Sequence, residues 1–114
     1  MGTMSEGPYF ALEGNDVLMY SDRAHAEAHL EYIDVNNGLD TIFRADGTLL
    51  RLATAGKKVI ISDEILRKDP AALATALTNY LLSAANSSAL DERETRAASL
   101  PELVAAFART VRSR

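Results

Sequence analysis

The sequence predicts an α+β domain: an antiparallel sheet, made of an N-terminal hairpin, an inserted helix and a three-stranded meander, covered by C-terminal helices. Three observations predict it. Asp46-Gly47 stands between two strand-like stretches, Thr41 to Ala45 and Thr48 to Thr54, and is a pair that tolerates the positive φ values of a type I′ hairpin turn. Asp69-Pro70 places an N-cap before a proline at the first helical position. Behind it Leu73, Leu77, Tyr80, Leu81 and Ala84 recur every three or four residues, as one face of a helix does.

The elements then follow along the chain. Pro8 to Tyr20 reads as a hairpin, with Tyr9-Phe10-Ala11-Leu12 and Val17-Leu18-Met19-Tyr20 joined through Gly14-Asn15-Asp16. Ser21 and Asp22 offer N-cap oxygens to an alanine-rich helix from about Arg23 to Glu31. Tyr32-Ile33-Asp34-Val35 is expected to be extended or a short strand, and Asn36-Asn37-Gly38 a turn. Ala55-Gly56 turns the meander into its last strand, Lys57 to Ser62, and Asp63-Glu64-Ile65-Leu66 is expected to form a short helical turn. The Asp69 helix should run to about Ala85 and break at Asn86-Ser87-Ser88. Ala89 to Ala98 is a charged stretch in which Glu92 and Arg96 stand at i, i+4. Ser99 and Glu102 have capping-box spacing before a last helix with Leu100, Leu103, Val104, Phe107 and Val111 on one face.

A two-residue loop at Asp46-Gly47 would pair Ala45 with Thr48, Phe43 with Leu50 and Ile42 with Arg51, and the next turn would set Leu52 opposite Val59. Phe43, Leu50, Leu52, Val59 and Ile61 would then form the core face under Leu77, Leu81 and Phe107. Arg44, Arg51 and Lys58 would share the other face with Ile42, Leu49 and Ile60.

Composition narrows the chemistry. The chain has 114 residues, 47% of them hydrophobic and 25% charged, which fits one folded domain, expected over residues 6–114 with residues 1–5 read as a tag remnant. With no cysteine there is no disulfide, thiolate nucleophile or cysteine zinc site. No apolar run approaches the roughly 18 residues that cross a bilayer, so no membrane partner is expected and the cytoplasm is the expected compartment. Serines lack a G-x-S-x-G elbow, and the six glycines form no phosphate loop. His25 and His29 stand at i, i+4, but His25-Ala26-Glu27-Ala28-His29 is not the H-E-x-x-H of metalloproteases, and no third ligand is evident. The expectation is therefore a non-enzymatic protein without metal or cofactor.

Charge is the most informative feature. The first forty residues hold eight carboxylates and one cation, Arg23, while the remaining seventy-four hold eight carboxylates and eleven cations. A net charge of −4 thus conceals an acidic front of −7 and a basic back of +3. Cations such as Arg44, Arg51, Lys57, Lys58, Arg67 and Lys68 are too weakly accompanied by aromatics to predict direct nucleic-acid binding. The acidic front instead predicts a basic protein partner.

The run from Ser21-Asp22 through Leu30-Glu31-Tyr32-Ile33-Asp34-Val35-Asn36-Asn37-Gly38 to Ala45-Asp46-Gly47-Thr48-Leu49-Leu50-Arg51-Leu52 resembles small single-domain immunity proteins encoded beside polymorphic bacterial toxins. The resemblance implies an inhibitor that occludes the active-site cleft of a cognate toxin enzyme. Tyr20, Asp22, Glu27, Glu31, Tyr32, Asp34 and Asp40 are then the expected partner-binding residues, the carboxylates standing in for substrate phosphates and a tyrosine filling a pocket. The alternative is an adaptor, or a module for a small anionic ligand, that uses the Arg44 and Arg51 face.

Overall fold

The computed structural model describes residues 8–13, 16–38, 40–83 and 92–112. Five strands, β1 (Tyr9–Glu13), β2 (Asp16–Tyr20), β3 (Asp40–Arg44), β4 (Thr48–Ala55) and β5 (Lys58–Lys68), form one antiparallel sheet in the order β2-β1-β3-β4-β5. Helices α1 (Arg23–His29) and α2 (Tyr32–Asn36) connect β2 to β3, and α3 (Pro70–Ser83), α4 (Glu92–Ala97) and α5 (Leu100–Arg112) follow the sheet. The α+β class, the hairpin and the meander are as the sequence predicts.

The sheet is covered on both faces, which the sequence did not reveal. Phe10, Val17, Phe43 and Leu49 pack with Leu73, Leu77, Leu81, Leu103 and Phe107 of α3 and α5. Tyr9, Ala11, Ile42, Leu50, Val59 and Ile61 pack on the other face with Ala26 and Leu30, flanked by Tyr32 and Val35. Strand side chains alternate between faces, so the stretches buried on both sides, Tyr9 to Leu12 of β1 and Ile42-Phe43 of β3, are apolar at consecutive positions. Phe107 anchors the first core, its ring edge-on to Phe10 at 5.7 Å and tilted against Tyr80 at 4.9 Å.

The register at Asp46-Gly47 differs from the expected one by a residue. Ile42 pairs with Leu50 and Phe43 with Leu49, so the loop is Ala45-Asp46-Gly47. Gly47 N–H donates to the Arg44 carbonyl at 2.9 Å and Thr48 N–H to Asp46 Oδ1 at 3.0 Å, a type I turn closed by a glycine at φ +90°. A type I′ loop needs positive φ at both central positions and a type II′ loop at the first, whereas here only Gly47, the second, has it. The consequence is that Phe43 and Leu50 lie on opposite faces, and so do Arg44 and Arg51: Arg44 shares the face of Ile42, two residues before it, whereas Arg51 falls between Leu50 and Leu52 and belongs to the opposite face. The second turn is also corrected. Ala55 pairs with Lys58 and Leu52 with Ile61 rather than Val59, a two-residue shift that leaves Leu52, Val59 and Ile61 on one face.

Three local expectations are overturned. Tyr32–Asn36 is a helix, because Tyr32 and Val35 reach the sheet at i, i+3 while Ile33 between them stays 54% exposed. Packing over the sheet outweighs the strand propensity of this aromatic and β-branched run. The first helix ends at His29, with Leu30 as its C-cap, instead of continuing to Glu31. Asp63–Leu66 belongs to β5, whose 11 residues oppose the 8 of β4 through two register shifts, near Leu49/Leu50 and Leu50/Leu52.

The helix starts agree with the sequence. Asp69 Oδ1 accepts from Ala72 N–H at 3.2 Å ahead of Pro70. Ser99 and Glu102 form both bonds of the capping box, Ser99 N–H to Glu102 Oε1 at 2.8 Å and Glu102 N–H to Ser99 Oγ at 3.4 Å. The expected extension to Ala85, the break at Asn86-Ser87-Ser88 and the side chains of Glu92 and Val111 lie outside the described residues.

Candidate functional site

The acidic residues gather at one end of the sheet, on the face that carries α1 and α2. Register places Asp16 of β2 opposite Glu13 of β1, and Glu13 opposite Asp40 of β3. Glu31 and Asp34 add two more carboxylates from α2 and its N-cap. A hollow of about 540 Å³ opens here, lined by Glu13, Glu31, Asp34, His29, Tyr80 and all five residues of β2. The hollow wraps over the outer edge of β2, since Leu18 and Tyr20 belong to the α1/α2 face while Val17, Met19 and Tyr80 belong to the α3/α5 face.

The carboxyl groups repel one another, and no ion pair with a cation is formed by Glu13, Asp16, Glu31, Asp34 or Asp40 among the described residues. Burial pushes the Glu13 pKa up, and the charges of Asp40, Asp34 and Asp16 push it further. Asp40 is also raised, first by burial and then by Asp34. Asp40 is buried, with 8% exposure, and neither of its carboxyl oxygens has a hydrogen-bond partner among the described residues. Tyr20 is raised by burial and by Glu13 and Asp40, and its ring lies 5.6 Å from that of His29. The hollow and the sheet end beside it therefore concentrate acidic side chains.

The expected partner-binding residues divide into two groups. Tyr20, Glu31 and Asp34 line the hollow, and Asp40 stands next to Glu13 in the sheet. Asp22, Glu27 and Tyr32 have structural work. Asp22 caps α1, accepting from His25 N–H at 2.8 Å and lying 2.9 Å from the His25 ring, contacts that hold its carboxyl below the usual range. Glu27 Oε2 accepts from Ile61 N–H of β5 at 2.7 Å, and Tyr32 packs against the core beneath α2. Glu13 and Asp16 were missed. The expected turn, Gly14-Asn15-Asp16, put Asp16 in the loop; starting β2 at Asp16 instead sets it opposite Glu13.

The Arg44 and Arg51 face of the alternative reading is not assembled, because the two side chains leave opposite sides of the sheet. Arg51 pairs with Glu64 at 3.1 Å. His25 and His29 are engaged separately, His29 Nδ1 lying 2.9 Å from the His25 carbonyl, and no group of three metal-ligating side chains occurs among the described residues. No helix among them is long and apolar enough to cross a membrane.

Fold and site together define a small α+β domain, helical on both faces, with an acidic hollow along one sheet edge. The chain matches no family model, no curated protein and no solved structure.

Proposed function

We propose that this protein is a non-enzymatic inhibitor of the immunity type, which binds the basic active-site cleft of a cognate toxin enzyme with the acidic end of its sheet. The observation that carries the reading is the convergence of Glu13, Asp16, Glu31, Asp34 and Asp40, with no cation between them among the described residues. Such crowding costs stability, and an arriving cation relieves it while ordering the encounter. A toxin that handles nucleic acid or nucleotides carries the complementary charge, and Tyr20 supplies an amphipathic anchor beside the carboxylates.

The test is to express any secreted-toxin domain found encoded beside this gene and to measure whether this protein protects the cells. Reversing Glu31 and Asp34 to Lys should abolish protection and slow association, and salt should slow association of the native protein, since charges are screened beyond about 8 Å at physiological ionic strength. Lys57 and Lys58, exposed where β4 turns into β5, are the control: their reversal to Glu should leave protection intact. Equal loss from both pairs, or protection by the Glu31/Asp34 variant, would overturn the reading.

A further inference from the structure

The two edges of the sheet are treated differently. At β5, Arg23 and Glu27, one turn apart on α1, grip both outward backbone groups of Ile61: Arg23 donates to its carbonyl at 3.3 Å and Glu27 accepts its amide at 2.7 Å. Beyond Ile61 the strand carries register shifts and the charged residues Asp63, Glu64, Arg67 and Lys68. Helix cover, bulges and charge are the usual means of keeping an edge from pairing. Among the described residues, the outer edge of β2 has neither cover nor bulge. The strand pairs with β1 through five consecutive residues without a register shift, and among the described residues no backbone or side-chain hydrogen bond reaches its outer edge.

That edge also has two chemically distinct sides. On one, Asp16 and Tyr20 stand with Glu31 and Asp34. On the other, Val17 and Met19 stand with Tyr80. A strand laid against β2 sends alternate side chains to these two sides, so the fitting sequence alternates cationic and apolar residues. A second copy of β2 does not fit, because its residues, Asp16 to Tyr20, bring no cation to the acidic side.

We infer that β2 is a docking edge, where an extended segment of the partner protein with alternating basic and apolar residues adds as a sixth strand. The inference rests on the proposed acidic interface and gives it a mode: backbone pairing supplies the register and the carboxylates select the charge. On this view the hollow is the space that the added strand fills.

A synthetic peptide of alternating lysine and valine, blocked at both ends, tests the edge without the toxin. Bound at saturation, it should slow amide hydrogen exchange at the outward-facing positions within 16–20 by about tenfold or more, while β5 is unchanged. The same peptide N-methylated on alternate backbone amides keeps its charges but cannot form the ladder, and should not bind. A glutamate and valine peptide should not bind either. Glu31→Gln with Asp34→Asn should weaken the lysine peptide about tenfold. Equal binding of the N-methylated peptide, protection at β5, no binding of the lysine peptide, or a dimer of the protein alone protected at β2 would each overturn the proposal. Cell protection that depends on Glu31 and Asp34 without peptide addition at β2 would retain the inhibitor reading and discard the edge. Peptide addition without protection would do the reverse.

Discussion

Glu27 Oε2 and the Ile61 amide meet at 2.7 Å across 34 residues of sequence, and this bond holds α1 along the rim of β5. The glutamate replaces the carbonyl of an absent neighbouring strand. Arg23 does the same for the Ile61 carbonyl and is itself held by Asp63 at 2.6 Å. One helix face thus seals part of an edge that would otherwise invite another chain.

Glu27→Ala should cost about 1.5–3 kcal/mol, the range for a hydrogen bond to a charged group. Glu27→Gln, which keeps an acceptor oxygen, should cost less. Urea melts measure the difference, and amide exchange at Ile61 should accelerate in the alanine variant more than exchange within β1. An unchanged Ile61 amide would show that α1 does not guard this edge.

Gly47 is required twice over. Its φ of +90° is unfavourable for an L side chain, and a Cβ there would run into the backbone of Pro70, whose neighbour Asp69 donates its N–H to the Gly47 carbonyl at 2.9 Å. Gly56, at φ +62° with open space around it, carries only the first restriction. Gly56→Ala should cost about 1–2 kcal/mol, and Gly47→Ala clearly more. Denaturation midpoints that rank the two variants the other way would contradict the close packing of the turn on α3.

The two cores should respond independently. Phe107→Ala empties the α3/α5 side, with an expected loss of about 3–5 kcal/mol, and Leu50→Ala the α1/α2 side, with about 2–5 kcal/mol, since both side chains are buried. They belong to separate clusters on opposite faces, so the double variant should show their sum to within about 0.5 kcal/mol. If the double variant is too unstable to measure, Phe107→Leu and Leu50→Val supply the same cycle at lower cost. Strong coupling in either cycle would mean that the cores share neighbours.

The carboxyl pair predicts an inverted pH dependence. The folded pKa values of Glu13 and Asp40 lie above their ordinary values, so the folded state binds protons more tightly than the unfolded one. Their contribution is therefore most favourable at or below the ordinary carboxylate range near pH 4, and declines as pH rises through the raised values. Glu13→Gln removes the repulsion and should stabilise the protein at pH 7. Its advantage in thermal melts should shrink as pH falls toward about 4. If Glu13→Gln destabilises at neutral pH, the crowding at the site is relieved by some other means.

How much of this was legible in the sequence depended on how local the cause was. Asp69-Pro70, Ser99 with Glu102 and Asp22 each place a side chain within three residues of the backbone it caps, so these helix starts could be read directly. The hairpins were equally visible, but their register was not. One residue of loop length at Gly47 moved Phe43 to the opposite face from Leu50 and separated Arg44 from Arg51.

The sequence by itself determined the α+β class, the turn and cap positions and the acid-rich front, because propensity, caps and charge count act over a few residues. Only the tertiary structure decided that Tyr32–Asn36 coils and Asp63–Leu66 extends, since each is settled by what it packs or pairs against. It also divided the acidic residues between work and readiness. Glu27 and Asp22 are held by partners of their own, whereas Asp40 meets Glu13 because β3 enters the sheet beside β1, a pairing across 27 residues that no local pattern encodes.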